Sequence, residues 1–94
     1  MIKKLSIKEA EELVYVSLEK FYTSYDLGCA AALVTAGFVL DSLDKTNPRK
    51  VQFIFRREAG VEKVVDEYWA DRIEVKARAF FDNIKMLKNR IYSE

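Results

Sequence analysis

The chain has 94 residues, half of them apolar and a third charged, with sixteen Lys and Arg against fifteen Asp and Glu. That is one domain's worth of chain, 1–94, with a globular composition and a thin core, because a domain of this size buries only about 60–65% of the surface its unfolded chain exposes. A single cysteine, Cys29, and no histidine exclude a disulfide framework within the chain, the usual structural zinc patterns and a Cys–His nucleophile pair.

The first element is signalled by Ser6-Ile7-Lys8-Glu9, the Ser-x-x-Glu form of a capping box. Behind it Ile7, Ala10, Val14, Leu18 and Phe21 recur at helical spacing, with Leu13 alongside, which predicts a helix over 7–16. Residues 18–22 fit a short third strand as well as they fit the end of that helix. Thr23 can then cap a helix over 25–36, with Asp26 near the positive end of its dipole. Gly37 stands where a left-handed residue would end it. The small residues Gly28 to Ala32 let another element approach this helix closely, and Cys29 among them reads as a buried small residue.

Strands over 38–44 and 51–57 follow, joined by Lys45-Thr46-Asn47-Pro48-Arg49-Lys50, whose Asn-Pro is a strong turn signal. In the second strand Val51, Phe53 and Phe55 share one face, the core side, meeting Phe38 and Leu40. After Gly60 a helix is predicted over 61–71, because Val61, Val64, Val65, Tyr68 and Trp69 fit one helical face. A short extended piece, 73–75, precedes a last helix over 77–91 with Phe80, Ile84, Leu87 and Ile91 as its buried stripe. The expectation is an α+β domain, a small antiparallel sheet packed with helices. If both 18–22 and 73–75 join the sheet, the order becomes ferredoxin-like, β-α-β-β-α-β, with added terminal helices.

The residue types present argue against an enzyme. Without His the commonest general base and metal ligand are missing. Gly28, Gly37 and Gly60 are too far apart for a phosphate-cradling loop. Glu9, Glu11, Glu12, Glu62, Asp66 and Glu67 read as solvated helix faces. Asp26, Asp41 and Asp44 sit at element ends, and Asp26 and Asp44 already have cap and turn explanations. No catalytic residue, metal or cofactor is therefore expected, and no small-molecule substrate is indicated. No charged stretch leads into an apolar signal core, and the longest apolar run, 27–34, is too short for a bilayer, so a cytoplasmic, membrane-free protein is expected.

Charge comes in blocks that the net value of +1 hides. Residues 45–57 hold five bases and no acid, 58–74 two bases and six acids, and 75–94 five bases and two acids. Arg49, Lys50, Arg56 and Arg57 of the hairpin, with Lys85, Lys88 and Arg90 of the last helix, are candidate nucleic-acid contacts, since Lys and Arg neutralise phosphates and release counterions. Two other readings stand beside this one. The basic hairpin can pair with the acidic helix and set register, or its charges can keep an exposed sheet edge from mispairing. Twelve aromatic residues are many for a small core, so a homodimer is expected, with Tyr68, Trp69, Phe81 and Tyr92 as its interface.

The run Phe21-Tyr-Thr-Ser-Tyr-Asp-Leu-Gly28, Ala30 to Leu33 and Gly37-Phe38 resembles a small family of unknown function found in short proteins of bacteria, archaea and their mobile elements. Residues 43–55, Tyr68-Trp69, Ala79-Phe80-Phe81 and 85–88 carry the same resemblance, which covers about residues 21–92. Lys76-Ala77 departs from it, where the family tends to have Asp-Pro. The resemblance brings no activity and no site residues. Its link to mobile elements favours the nucleic-acid reading by analogy. The sequence thus points to a non-enzymatic binding module, an accessory nucleic-acid-binding protein or a protein-interaction module.

Overall fold

The computed structural model describes residues 6–9, 11 and 20–93. Its elements there are β1 (Phe21–Ser24), α1 (Leu27–Thr35), β2 (Leu40–Asp44), β3 (Gln52–Arg56), α2 (Val61–Trp69) and α3 (Ala77–Tyr92). The strands form one antiparallel sheet in the order β1-β3-β2. β1 and β2 both run antiparallel to β3, so they are parallel to each other, with α1 as the crossover between them. This is a split β-α-β unit to which a hairpin return and two helices have been added.

Three expectations change. Residues 72–76 form no strand, so the ferredoxin-like alternative is not realised, and among the described residues no fourth strand joins the sheet. The piece 73–75 instead spans only the gap between α2 and α3, where Ile73 and Val75 are half-buried. The third strand does form, but over Phe21–Ser24. Lys20 is helical, and residues 18 and 19 lie outside the described residues. Thr23, expected as a helix cap, pairs opposite Ile54 in β1, and Asp26 caps α1 in its place. Asp26 has the extended backbone a cap needs, and its Oδ1 accepts the Cys29 amide at 2.7 Å. Residues 7–9 and 11 are helical, and Ser6 Oγ accepts the Glu9 amide at 3.1 Å, as a capping box requires. The rest of the predicted 7–16 helix, residues 10 and 12–16, lies outside the described residues.

Helix α1 is the centre of the molecule. Ala30, Ala31, Ala32 and Leu33 are fully buried, because their small side chains let β1, α2 and α3 pack closely around the helix. Asn83 Nδ2 of α3 donates to Thr35 Oγ1 at 2.9 Å, and that hydroxyl donates onward to the Ala31 carbonyl at 2.7 Å. The helix ends at Gly37, whose φ of 100° lets the Gly37 and Phe38 amides turn back onto the Val34 and Leu33 carbonyls, both at 3.0 Å. Phe53 and Phe55 of the central strand face this layer and are buried with Leu87 of α3 and Val61 of α2.

The β2 strand shows why its sequence does not alternate cleanly. Leu40 pairs with Phe55, yet Ser42 pairs with Ile54, so Asp41 is an extra residue in the ladder. This bulge brings Leu40 and Leu43, three positions apart, to the same inner face. The outer face is left with Phe21 and Thr23 of β1, Ser42 and Asp44 of β2, and Gln52, Ile54 and Arg56 of β3.

Helix α3 starts without a side-chain cap, because Lys76 occupies the N-cap and cannot accept from the first amides. Its positive charge also faces the positive end of the helix dipole. Lys76→Asp is expected to stabilise the fold by about 0.5–2 kcal/mol in urea denaturation. An unchanged or lowered midpoint would show that the first turn of α3 is held by other means.

Candidate functional site

The six-residue connection between β2 and β3 is folded by its own side chains. Asp44 Oδ1 accepts the Thr46 amide at 2.9 Å and Asn47 Oδ1 accepts the Arg49 amide at 3.0 Å, while the Lys50 amide donates to the Asn47 carbonyl at 3.0 Å. Hydrogen bonds from the Thr46 hydroxyl and amide hold the Asp44 carboxyl below its ordinary value. The tip is therefore shaped by short polar side chains, and it leaves Arg49 and Lys50 exposed.

Lys50 lies over a ring. Its Nζ is 4.5 Å from the centroid of Tyr25, which is 53% exposed just beyond the end of β1. Tyr25, Asp44, Thr46, Asn47, Lys50 and Gln52 line a recess of about 130 Å³. Lys45 turns the other way, and its Nζ donates to the Ser93 carbonyl at 2.6 Å. That contact brings the end of α3, with Arg90, to the hairpin tip.

The remaining candidate bases are dispersed. Arg56 is exposed and belongs to the outer face, opposite Phe21 in register. Arg57 is half-buried, forms an ion pair with Glu62 of α2, and lies 5.7 Å from the Tyr22 ring centroid. The hairpin thus meets the acidic helix at Arg57, within the chain. Lys85 and Lys88 are exposed on α3, in the layer on the inner side of the sheet, and Lys85 Nζ sits 5.3 Å from the Phe81 ring centroid. Arg56 and the lysines of α3 therefore face away from each other across the molecule.

The aromatic candidates also divide. Tyr68 is half-buried against α1. A Cβ at Gly28 would run into its hydroxyl oxygen, so glycine there allows the close approach of α2. Trp69 stacks edge-on to Tyr68 at 5.1 Å and is 62% exposed, while Phe81 and Tyr92 are 58% and 84% exposed. A larger groove of about 520 Å³, lined by Val64, Ile73 and Val75 with Glu67, Glu74 and Lys76, lies between the end of α1, α2 and α3, apart from the hairpin. Asp41 is exposed at the bulge and accepts the neighbouring Ser42 hydroxyl, at 3.1 Å. Among the described residues, no three His, Cys, Asp or Glu side chains come together in a way that could hold a metal.

Cys29 lies beneath this surface, 1% exposed. Burial pushes its thiol above the ordinary value of 9.0, against hydrogen bonds from Ser24 and Trp69 that act the other way. A raised value in the fold means that the thiol contributes stability at neutral pH which is lost as pH rises past 9. Alkylation at pH 8 is expected to be slow in the native protein and fast in urea. Equal rates in the two states would show that Cys29 is open to solvent.

A family model described as a domain of unknown function, DUF5659, matches residues 19–93, which takes in every element from β1 to α3. The chain belongs to the DUF5659 family. No curated protein and no solved structure matches it. The DUF5659 domain so defined contains the hairpin tip, Tyr25 and all seven candidate bases, and leaves out the capped segment that begins at Ser6. Among the described residues no helix is long and apolar enough to cross a membrane.

Tyr25 was missed in reading the sequence. It sits where a helix was expected to begin, and only the strand over Phe21–Ser24 makes it an outward-facing ring. The available signal was alternation, since Phe21, Thr23 and Tyr25 share one parity.

Proposed function

We propose that this DUF5659 chain is a non-enzymatic, cytoplasmic binding module that docks nucleic acid at its hairpin tip. Arg49 and Lys50 contact phosphates, and the Tyr25 ring lies beside them. The observation that carries this reading is the self-hydrogen-bonded turn that holds two exposed bases at its tip, one of which, Lys50, lies over an exposed ring beside a recess. A rigid tip spends little entropy on ordering when it binds. The resemblance to proteins of mobile elements points the same way, by analogy alone. Labelled DNA and RNA oligonucleotides should bind in fluorescence anisotropy at low salt, and the affinity should fall steeply as salt rises. Absence of binding to both at low salt overturns the reading.

A second reading rests on Trp69, Phe81 and Tyr92, three large rings exposed on the helical side of the molecule. Exposed aromatics at this density suit a homodimer interface. Light scattering after size exclusion should then give twice the chain mass of 10.9 kDa. A clean monomer at high concentration overturns it.

A further inference from the structure

Resting on the nucleic-acid reading, we propose that the ligand is single-stranded and runs across the outer face of the sheet, from Tyr25 at the hairpin tip to Phe21 and Arg56 at the far end. The register sets up this path. Phe21 pairs with Arg56 and Thr23 with Ile54, while Asp44 pairs with Gln52, all on the face opposite Phe53 and Phe55. Tyr25 continues the parity of Phe21 and Thr23 one step past β1. Asp44 and Gln52 line the recess beside Tyr25, so the tip and the face are one continuous surface.

Among the described residues, the apolar side chains of this face, Phe21 and Ile54, are half-buried and lie outside the core cluster. The core cluster takes Tyr22, Leu40, Leu43, Phe53 and Phe55 from the sheet and omits Phe21 and Ile54. The face is therefore a strip with an aromatic ring at each end, 21 and 25, about 13 Å apart by strand rise. Lys50 adjoins one ring and Arg56 is paired with the other. Spaced rings beside bases are what unstacked nucleotides need, since each base has a face to stack and each phosphate needs a cation. A duplex hides its base faces, and the rings would be idle against it. Asp44 is an acid on the same face, and its Oδ1 already accepts the Thr46 amide.

The test compares a labelled single strand with a duplex of equal length by anisotropy, using the full chain and its variants. The single strand is expected to bind at least tenfold more tightly. Tyr25→Leu is expected to weaken it about tenfold with an unchanged salt slope, because a stacking contact is lost and no charge is removed. Tyr25→Trp should keep binding and show indole quenching beyond that of Trp69 in the parent. Phe21→Leu should behave like Tyr25→Leu, whereas Phe21→Tyr, which keeps a ring, should not. Tyr25 is half exposed, so its variants are expected to melt as the parent does, and the result does not depend on Phe21 variants folding. Equal binding of duplex and single strand, with Tyr25→Leu silent and Arg49→Ala with Lys50→Ala weakening both, overturns the single-strand proposal and leaves the tip reading standing. No binding of either ligand overturns both.

Discussion

Phe55→Ala is expected to cost about 3–5 kcal/mol, because the ring is fully buried at the centre of the sheet and the helical layer cannot collapse into the gap. A domain of this length has a total stability of only about 5–14 kcal/mol, so one truncation removes a large share of it. The neighbouring ladder position makes the contrast. Ile54 lies on the outer face of the same strand, only half-buried and outside the core cluster, and Ile54→Ala is expected to cost about 1 kcal/mol. Urea denaturation of the two variants should show a large and a small drop in midpoint with similar slopes. Equal losses would mean that the inner and outer faces of β3 have been wrongly assigned.

Reversing both tip charges, Arg49→Glu with Lys50→Glu, is the second change of large expected effect. If each base neutralises one phosphate, removing two lowers the slope of log affinity against log salt by about 1.4 for a single strand and about 1.8 for a duplex. The like-charge repulsion that the two Glu add should take the loss at low salt beyond tenfold. Lys85→Glu changes charge by the same step but sits in the α3 layer, across the molecule from the outer face. It is expected to leave binding nearly unchanged. A loss per charge as large as that at the tip would show attraction by overall charge and no localised site. Both tip residues are exposed on a turn shaped by Asp44 and Asn47, so the fold should tolerate their exchange.

Much of the fold was legible because its signals are local. Asn47 and Asp44 fold the turn with their own side chains, Gly37 supplies the positive φ that ends α1, and the Val61–Val64–Val65–Tyr68 face needs no knowledge of its partner to be recognised. Phe53 and Phe55 were legible as core residues from alternation alone, and they are the largest buried side chains. The failures are where two local signals compete. Thr23 and Asp26 are both acceptable caps, and pairing with Ile54 in β3, some thirty residues away, commits Thr23 to the strand. Residues 73–75 carry the β-branched side chains of a strand, but they form no ladder with the sheet.

The sequence by itself determined most of the element types, their order along the chain, the turn chemistry and the supply of basic residues in the hairpin. Each of these follows from spacing within a few residues, which any conformation of the rest of the chain would preserve. Only the tertiary structure decided which bases share a surface. Arg57 turns to Glu62, Lys45 to the Ser93 carbonyl, and Arg56 to the face opposite α3, while Lys50 comes to rest over Tyr25. The physical reason is that a block of charge along a strand is divided by alternation between two faces. What each half meets there depends on the elements that the sheet register and helix packing bring alongside.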